Sequence, residues 1–80
     1  MFYKDLYIKP KILYVDDESI NLRLFKISFK DNCDITTSQS GEEGLKLLKE
    51  QNRYDIIISD QRMPGMSGTE FMIEAKKFLP

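Results

Sequence analysis

The chain has 80 residues, with twelve Lys and Arg against thirteen Asp and Glu for a net charge of −1, one cysteine and no histidine. That length allows one domain with a marginal core. There is no basic excess to hold a nucleic-acid backbone or a membrane surface, no internal disulfide, and no ligand set or base for zinc sites or His-dependent nucleophilic catalysis, which leaves chemistry done with carboxylates.

In chain order, residues 1–10 form a leader containing Tyr and Lys that ends at Pro10. It has no long apolar run to act as a signal peptide, and no segment approaches the ~20 apolar residues needed to span a bilayer, so a cytoplasmic location is expected. The domain is expected over residues 11–80. "KILYV", Lys11 to Val15, is a short β-branched run that stops at "DDE" and reads as a buried strand. "SINLRLFKISFK" follows as a helix, with Ser19 as N-cap and Leu24, Phe25, Ser28 and Phe29 on one face. "CDITTS" is the next extended segment, and "SGEEGLKLLKEQN" opens a second helix with a Ser40/Glu43 capping box and turns Leu45 and Leu48 inward. Gly44 weakens that helix by about 1 kcal/mol relative to Ala unless close packing requires its missing side chain. "YDIIIS" reads as a third strand, apolar enough to be buried on both faces. "SGTEFMIEAKKFL" closes the series with a second capping box, Ser67/Glu70, and an inward face of Phe71, Ala75 and Phe78.

The order βαβαβα with continuous apolar strands predicts an α/β architecture, a parallel sheet covered on both faces with right-handed crossovers. In such sheets ligands collect beyond the carboxyl ends of the strands, which is where Asp16, Asp17 and Asp60 fall. If the first and third strands are neighbours, three carboxylates converge, and a divalent cation relieves their repulsion. Oxygen-only ligands argue for Mg2+, and a carboxylate beside Mg2+ is suited to attack a phosphoryl group. Asp60, alone at its strand end, is the better placed attacker.

The stretches "ILYVDDE", "SGEEGLKLL" and "DIIISDQRMPGMSGTEF" resemble the receiver domain of two-component response regulators, over Lys11 to Pro80. The resemblance implies a flavodoxin-like, doubly wound parallel sheet of five strands ordered 2-1-3-4-5, of which these residues supply three, as a partial receiver domain ending after the third helix. It also implies that Asp60 is the phosphoacceptor, that Asp17 binds Mg2+ directly and Asp16 through water, and that the backbone carbonyl of Arg62 is a further ligand. Met63, Pro64 and Gly65 then shape the loop after the acceptor, and Gly68 matches a family position. The family's Ser or Thr and its Lys, from the fourth and fifth strands, have no counterpart among these residues.

The expected function is that of a phosphoacceptor module in a phosphorelay, receiving phosphoryl from a histidine kinase or a small phosphodonor and signalling to an output domain or partner. It modifies itself and turns over no external substrate, so it is not expected to be an enzyme, and neither direct nucleic-acid nor membrane contact is expected. Two alternatives stand beside it. One is a structural or dimerising fragment that keeps the acids without switching, joined as a homodimer through an exposed third-strand edge. The other is a haloacid-dehalogenase-like, Mg2+-dependent phosphatase with an Asp nucleophile, which expects an acid where Arg62 stands.

Overall fold

The structure is a computed structural model that describes residues 9–50 and 53–79; the leader up to residue 8 lies outside the described residues. Three strands, β1 (Lys11–Val15), β2 (Asp34–Ser38) and β3 (Ile56–Ser59), form one sheet in the order β2-β1-β3. Both pairings are parallel, with Ile12 opposite Ile35 and Ile56, and Val15 opposite Ser38 and Ser59. Each crossover carries a helix: α1 (Ser19–Phe29) between β1 and β2, and α2 (Gly41–Glu50) between β2 and β3, while α3 (Gly68–Ala75) follows β3 and continues as a single 3-10 turn, Lys76–Phe78. The amino end of β3 is fastened to β1 twice: the Asp55 amide donates to the Lys11 carbonyl at 2.7 Å, and the Lys11 amide donates to the Asp55 carboxylate at 2.7 Å. Among the described residues no helix is long and apolar enough to cross a membrane.

Strand alternation splits β1 between two layers. Leu13 and Val15 face α2 and α3, where with Leu48, Phe71 and Ala75 they form the buried core, flanked by Leu45, Ile57, Met63 and Met66. Tyr14 faces α1, its ring 4.6 Å from that of Phe25. Gly44 sits where α2 comes closest to this core: a Cβ there would lie 2.8 Å from the Phe71 ring and 3.1 Å from Val15, so close packing accounts for the glycine.

Two expectations are corrected. Ser19 is the first residue of α1, and the cap position belongs to Glu18, whose side chain makes no capping hydrogen bond. The inward face of α1 is carried by buried Leu22 and half-buried Phe25; Leu24 is 57% exposed, and Ser28 and Phe29 are exposed too. Apolar residues lie on two opposite stripes of this helix, and the sheet covers only one of them, leaving Ile20, Leu24 and Ile27 outside. The third strand lies at the sheet edge where the expected strand order puts it: Ile56 is 45% exposed and Ile57 to Ser59 are half-buried. Among the described residues β3 has a neighbour on one side only.

Candidate metal and phosphoacceptor site

Two backbone hydrogen bonds build the site by carrying the parallel ladders one residue beyond the strands. The Asp16 amide donates to the Ser38 carbonyl at 3.0 Å, and the Asp60 amide donates to the Val15 carbonyl at 2.8 Å. Because β1 is central, both acids are drawn to the same carboxyl edge. Asp16, Asp17 and Asp60 each bring a carboxylate oxygen to within 4.8 Å of the others. The three candidate acids of the sequence therefore meet in one place, with Asp16 buried, Asp60 half-buried and Asp17 exposed.

The three are not equivalent. Asp16, 2% exposed, accepts three hydrogen bonds: from the Tyr14 hydroxyl at 2.8 Å and the Asn21 amide at 3.1 Å on Oδ2, and from the Glu18 backbone amide at 3.0 Å on Oδ1. Burial pushes its pKa up, but the Glu18 amide, Tyr14, Asn21 and the neighbouring Asp17 together outweigh burial and hold it below the usual value. Burial, the hydrogen bond to Asp16 and the charges of Asp16 and Asp60 push the Tyr14 phenol up to about 12. Asp16 thus also serves the dull role of tying down the turn into α1. Tyr14 and Asn21 were not singled out in the sequence, although strand alternation alone puts Tyr14 on the Asp16 side of β1.

The loop after Asp60 is pinned from several directions. The Ser59 hydroxyl donates to the Asp60 carbonyl at 2.9 Å, the Gly68 amide to the Gln61 carbonyl at 3.0 Å, and Gln61 Oε1 accepts from both the amide and the hydroxyl of Thr69, each at 2.9 Å. A Cβ on Gly68 would collide with the Asp60 carbonyl, so only glycine lets α3 dock onto the acceptor's own peptide. Gly65 turns the chain with φ +77, and Met63 and Met66 on either side pack onto the core. Arg62 is exposed, two residues beyond Asp60. The donor set suits a hard cation: it is all oxygen, and among the described residues nothing donates to the carboxylates of Asp17 or Asp60 in the way that Tyr14 and Asn21 donate to Asp16.

A parallel α/β sheet thus carries a cluster of three acids beyond the carboxyl ends of its first and third strands, the edge at which sheets of this class collect their ligands. Residues 12–78 match the family described as the response regulator receiver domain, and the chain belongs to that family. It is 40% identical over 62 residues to the transcriptional regulatory protein AfsQ1 of Streptomyces coelicolor, covering 76% of this chain and 27% of that protein. It is 34% identical over 71 residues to histidine kinase 3 of Arabidopsis thaliana, covering 88% of this chain and 7% of that protein. Among solved structures it superposes on a response regulator receiver domain protein from Clostridium thermocellum with a TM-score of 0.80 and 38% identity, covering 85% of this chain and 56% of that one. The chain therefore spans a small part of these curated relatives and just over half of the solved receiver structure. Its fold is that of the family, a flavodoxin-like parallel sheet with alternating helices.

Proposed function

We propose that this chain receives a phosphoryl group on Asp60. The observation that carries the reading is the meeting of Asp16, Asp17 and Asp60 at one strand edge of a receiver fold. Asp60 attacks the phosphorus of the donor; a carboxylate oxygen–phosphorus bond forms as the phosphorus–nitrogen bond of a phosphohistidine, or the phosphorus–oxygen bond of a small acyl phosphate, breaks, and the leaving atom takes the electron pair. Asp17 and Asp60 would hold Mg2+ directly, Asp16 through water, and the Arg62 carbonyl would complete the protein's share. A bound Mg2+ supplies neutralising charge for the phosphoryl oxygens. Asp16, kept ionised by its three donors, contributes charge and orientation without giving up a proton. A histidine kinase or a small phosphodonor is the source of the group, a joined domain or separate partner reads it, and the setting is cytoplasmic. The module is a substrate of this chemistry and not a turnover catalyst.

Mg2+ at one hundred times Kd should stabilise the fold by about 2.7 kcal/mol, and Asp17→Asn should abolish that gain in thermal melts. Acetyl phosphate with Mg2+ should then give a phosphoryl adduct by intact mass that Asp60→Ala eliminates. Melting unchanged by Mg2+, or labelling that survives Asp60→Ala, overturns the reading.

A second reading rests on a separate observation, the outer edge of β3, which has no strand beside it among the described residues and carries exposed Ile56. Two copies pairing these edges antiparallel about a two-fold axis would make one continuous sheet and cover both isoleucine rows.

A further inference from the structure

The geometry points to Tyr14 as the positioning residue that makes Asp16 the water-mediated member of the acid cluster and leaves direct coordination to Asp17 and Asp60. This inference rests on the cation site proposed above and concerns a side chain on which neither the motif nor the acids themselves bear.

The physical basis is the occupancy of one carboxylate. An ionised carboxylate offers about four acceptor positions. On Asp16, Tyr14 and Asn21 take two on Oδ2 and the Glu18 amide takes one on Oδ1. One remains, which suits a water bound to the cation better than close approach by the metal itself. Asp17, exposed on the loop, and Asp60, half-buried, have no such donors among the described residues. The difference between the acids is therefore imposed by neighbours and is not inherent in residue type.

Of the three donors, Tyr14 is the one whose position is fixed from elsewhere. Its ring lies on β1, two residues before Asp16 and on the same side of the strand. It packs at 4.6 Å, tilted 47°, against Phe25, whose ring lies 4.9 Å from Phe29. Helix α1 thereby holds the phenol, and the phenol holds the carboxylate at 2.8 Å. Asn21, from the first turns of the same helix, adds a second hold at 3.1 Å. Partners that orient a metal-site carboxylate set both affinity and the choice of ion. Mg2+ demands near-octahedral geometry and keeps its waters, whereas Ca2+ accepts more carboxylate oxygens in looser arrangements. With the hydroxyl gone, Asn21 keeps one acceptor position of Oδ2 and the other opens to direct approach by the ion, which favours Ca2+ over Mg2+.

The test is Tyr14→Phe in the full chain, which keeps the ring packing and removes one oxygen, with MgCl2 and CaCl2 titrated calorimetrically into variant and wild type and a melt of each metal-free protein. Mg2+ affinity is expected to fall by about tenfold or more, while Ca2+ affinity holds or rises, so that the ratio of the two shifts toward Ca2+. Equal losses for both ions, no loss for either, or a variant that fails to fold would each overturn the inference by making the hydroxyl structural or irrelevant. Those outcomes leave the cation site standing, because wild type still binds Mg2+. A wild-type protein that binds neither ion overturns the site and this inference together.

Discussion

Tyr14 and Asp16 form a coupled pair whose stability contribution has a sign at each end of the pH scale. The folded Tyr14 phenol is raised to about 12 from 10.0, so its contribution is fully present below pH 10 and is lost as pH rises from 10 through 12, where the unfolded chain ionises first. The folded Asp16 carboxyl is lowered from 3.8, so its contribution is present above that value and is lost as pH falls below it. Chemical denaturation of wild type and Tyr14→Phe at a series of pH values should therefore show a gap between the two proteins that narrows between pH 10 and 12. A gap that is constant across that range would mean the phenol's environment has been misjudged. At the same scale, Gly68 lets α3 approach the Asp60 carbonyl, and Gly65 turns the loop at positive φ, so the two glycines serve different needs.

At the scale of the element, the helix starts differ in how they are held. The first turn of α3 has a complete capping box: the Ser67 hydroxyl accepts from the Glu70 amide at 3.1 Å, and the Ser67 amide donates to the Glu70 carboxylate at 2.9 Å. Ser67→Ala should cost about 1 kcal/mol, read as a lower urea midpoint with unchanged slope. In α2 the Ser40 hydroxyl accepts from the Glu43 amide at 3.0 Å. There Gly44 sets propensity against packing. Alanine gains about 1 kcal/mol of helix propensity, yet its Cβ would press into the Phe71 ring and Val15, and overpacking of that kind costs about 1–3 kcal/mol. Packing wins because Phe71 is fully buried and has no solvent side into which to retreat. Gly44→Ala should lower the Tm, and a raised Tm would show that the α2–α3 contact yields easily.

For the molecule as a whole, three acids meet at the carboxyl edge of the sheet, while Lys9, Lys11, Lys26 and Lys30 line, together with Asp34, an open cleft of 580 Å3 at the amino end, where the Lys9 ammonium donates to the Lys30 carbonyl at 3.3 Å as α1 ends. The outer row of β3 bears on assembly. Ile57 packs partly against the core, so a charge there would injure the fold as well as any pairing; Ile56, 45% exposed, is the cleaner probe. Sedimentation equilibrium should find a dimer for the wild-type chain and a monomer for Ile56→Lys, with both equally folded by circular dichroism. A wild-type chain that is folded and monomeric at tens of micromolar would sink the edge-pairing reading.

Much was legible in the sequence because it is local. The bounds of β1 follow from a β-branched run between Pro10 and the acids; the caps at Ser40 and Ser67 follow from three-residue spacings; the packing faces of α2 and α3 follow from helical period. The order βαβαβα restricts the sheet to parallel pairings, and the motifs mark which acids to watch. What tertiary structure decided is everything that depends on a neighbour distant in the chain. It selected Leu22 and Phe25, not Leu24 and Phe29, as the inward side of α1, because a helix with two opposite apolar stripes has no preferred face until a sheet is laid against one. It set how far each isoleucine of β3 is covered, leaving Ile56 exposed and Ile57 packed partly against the core, because that depends on which helices lie over the strand. It distinguished Asp16 from Asp17, two identical side chains adjacent in sequence, because only one of them lies within reach of a phenol held in place by α1.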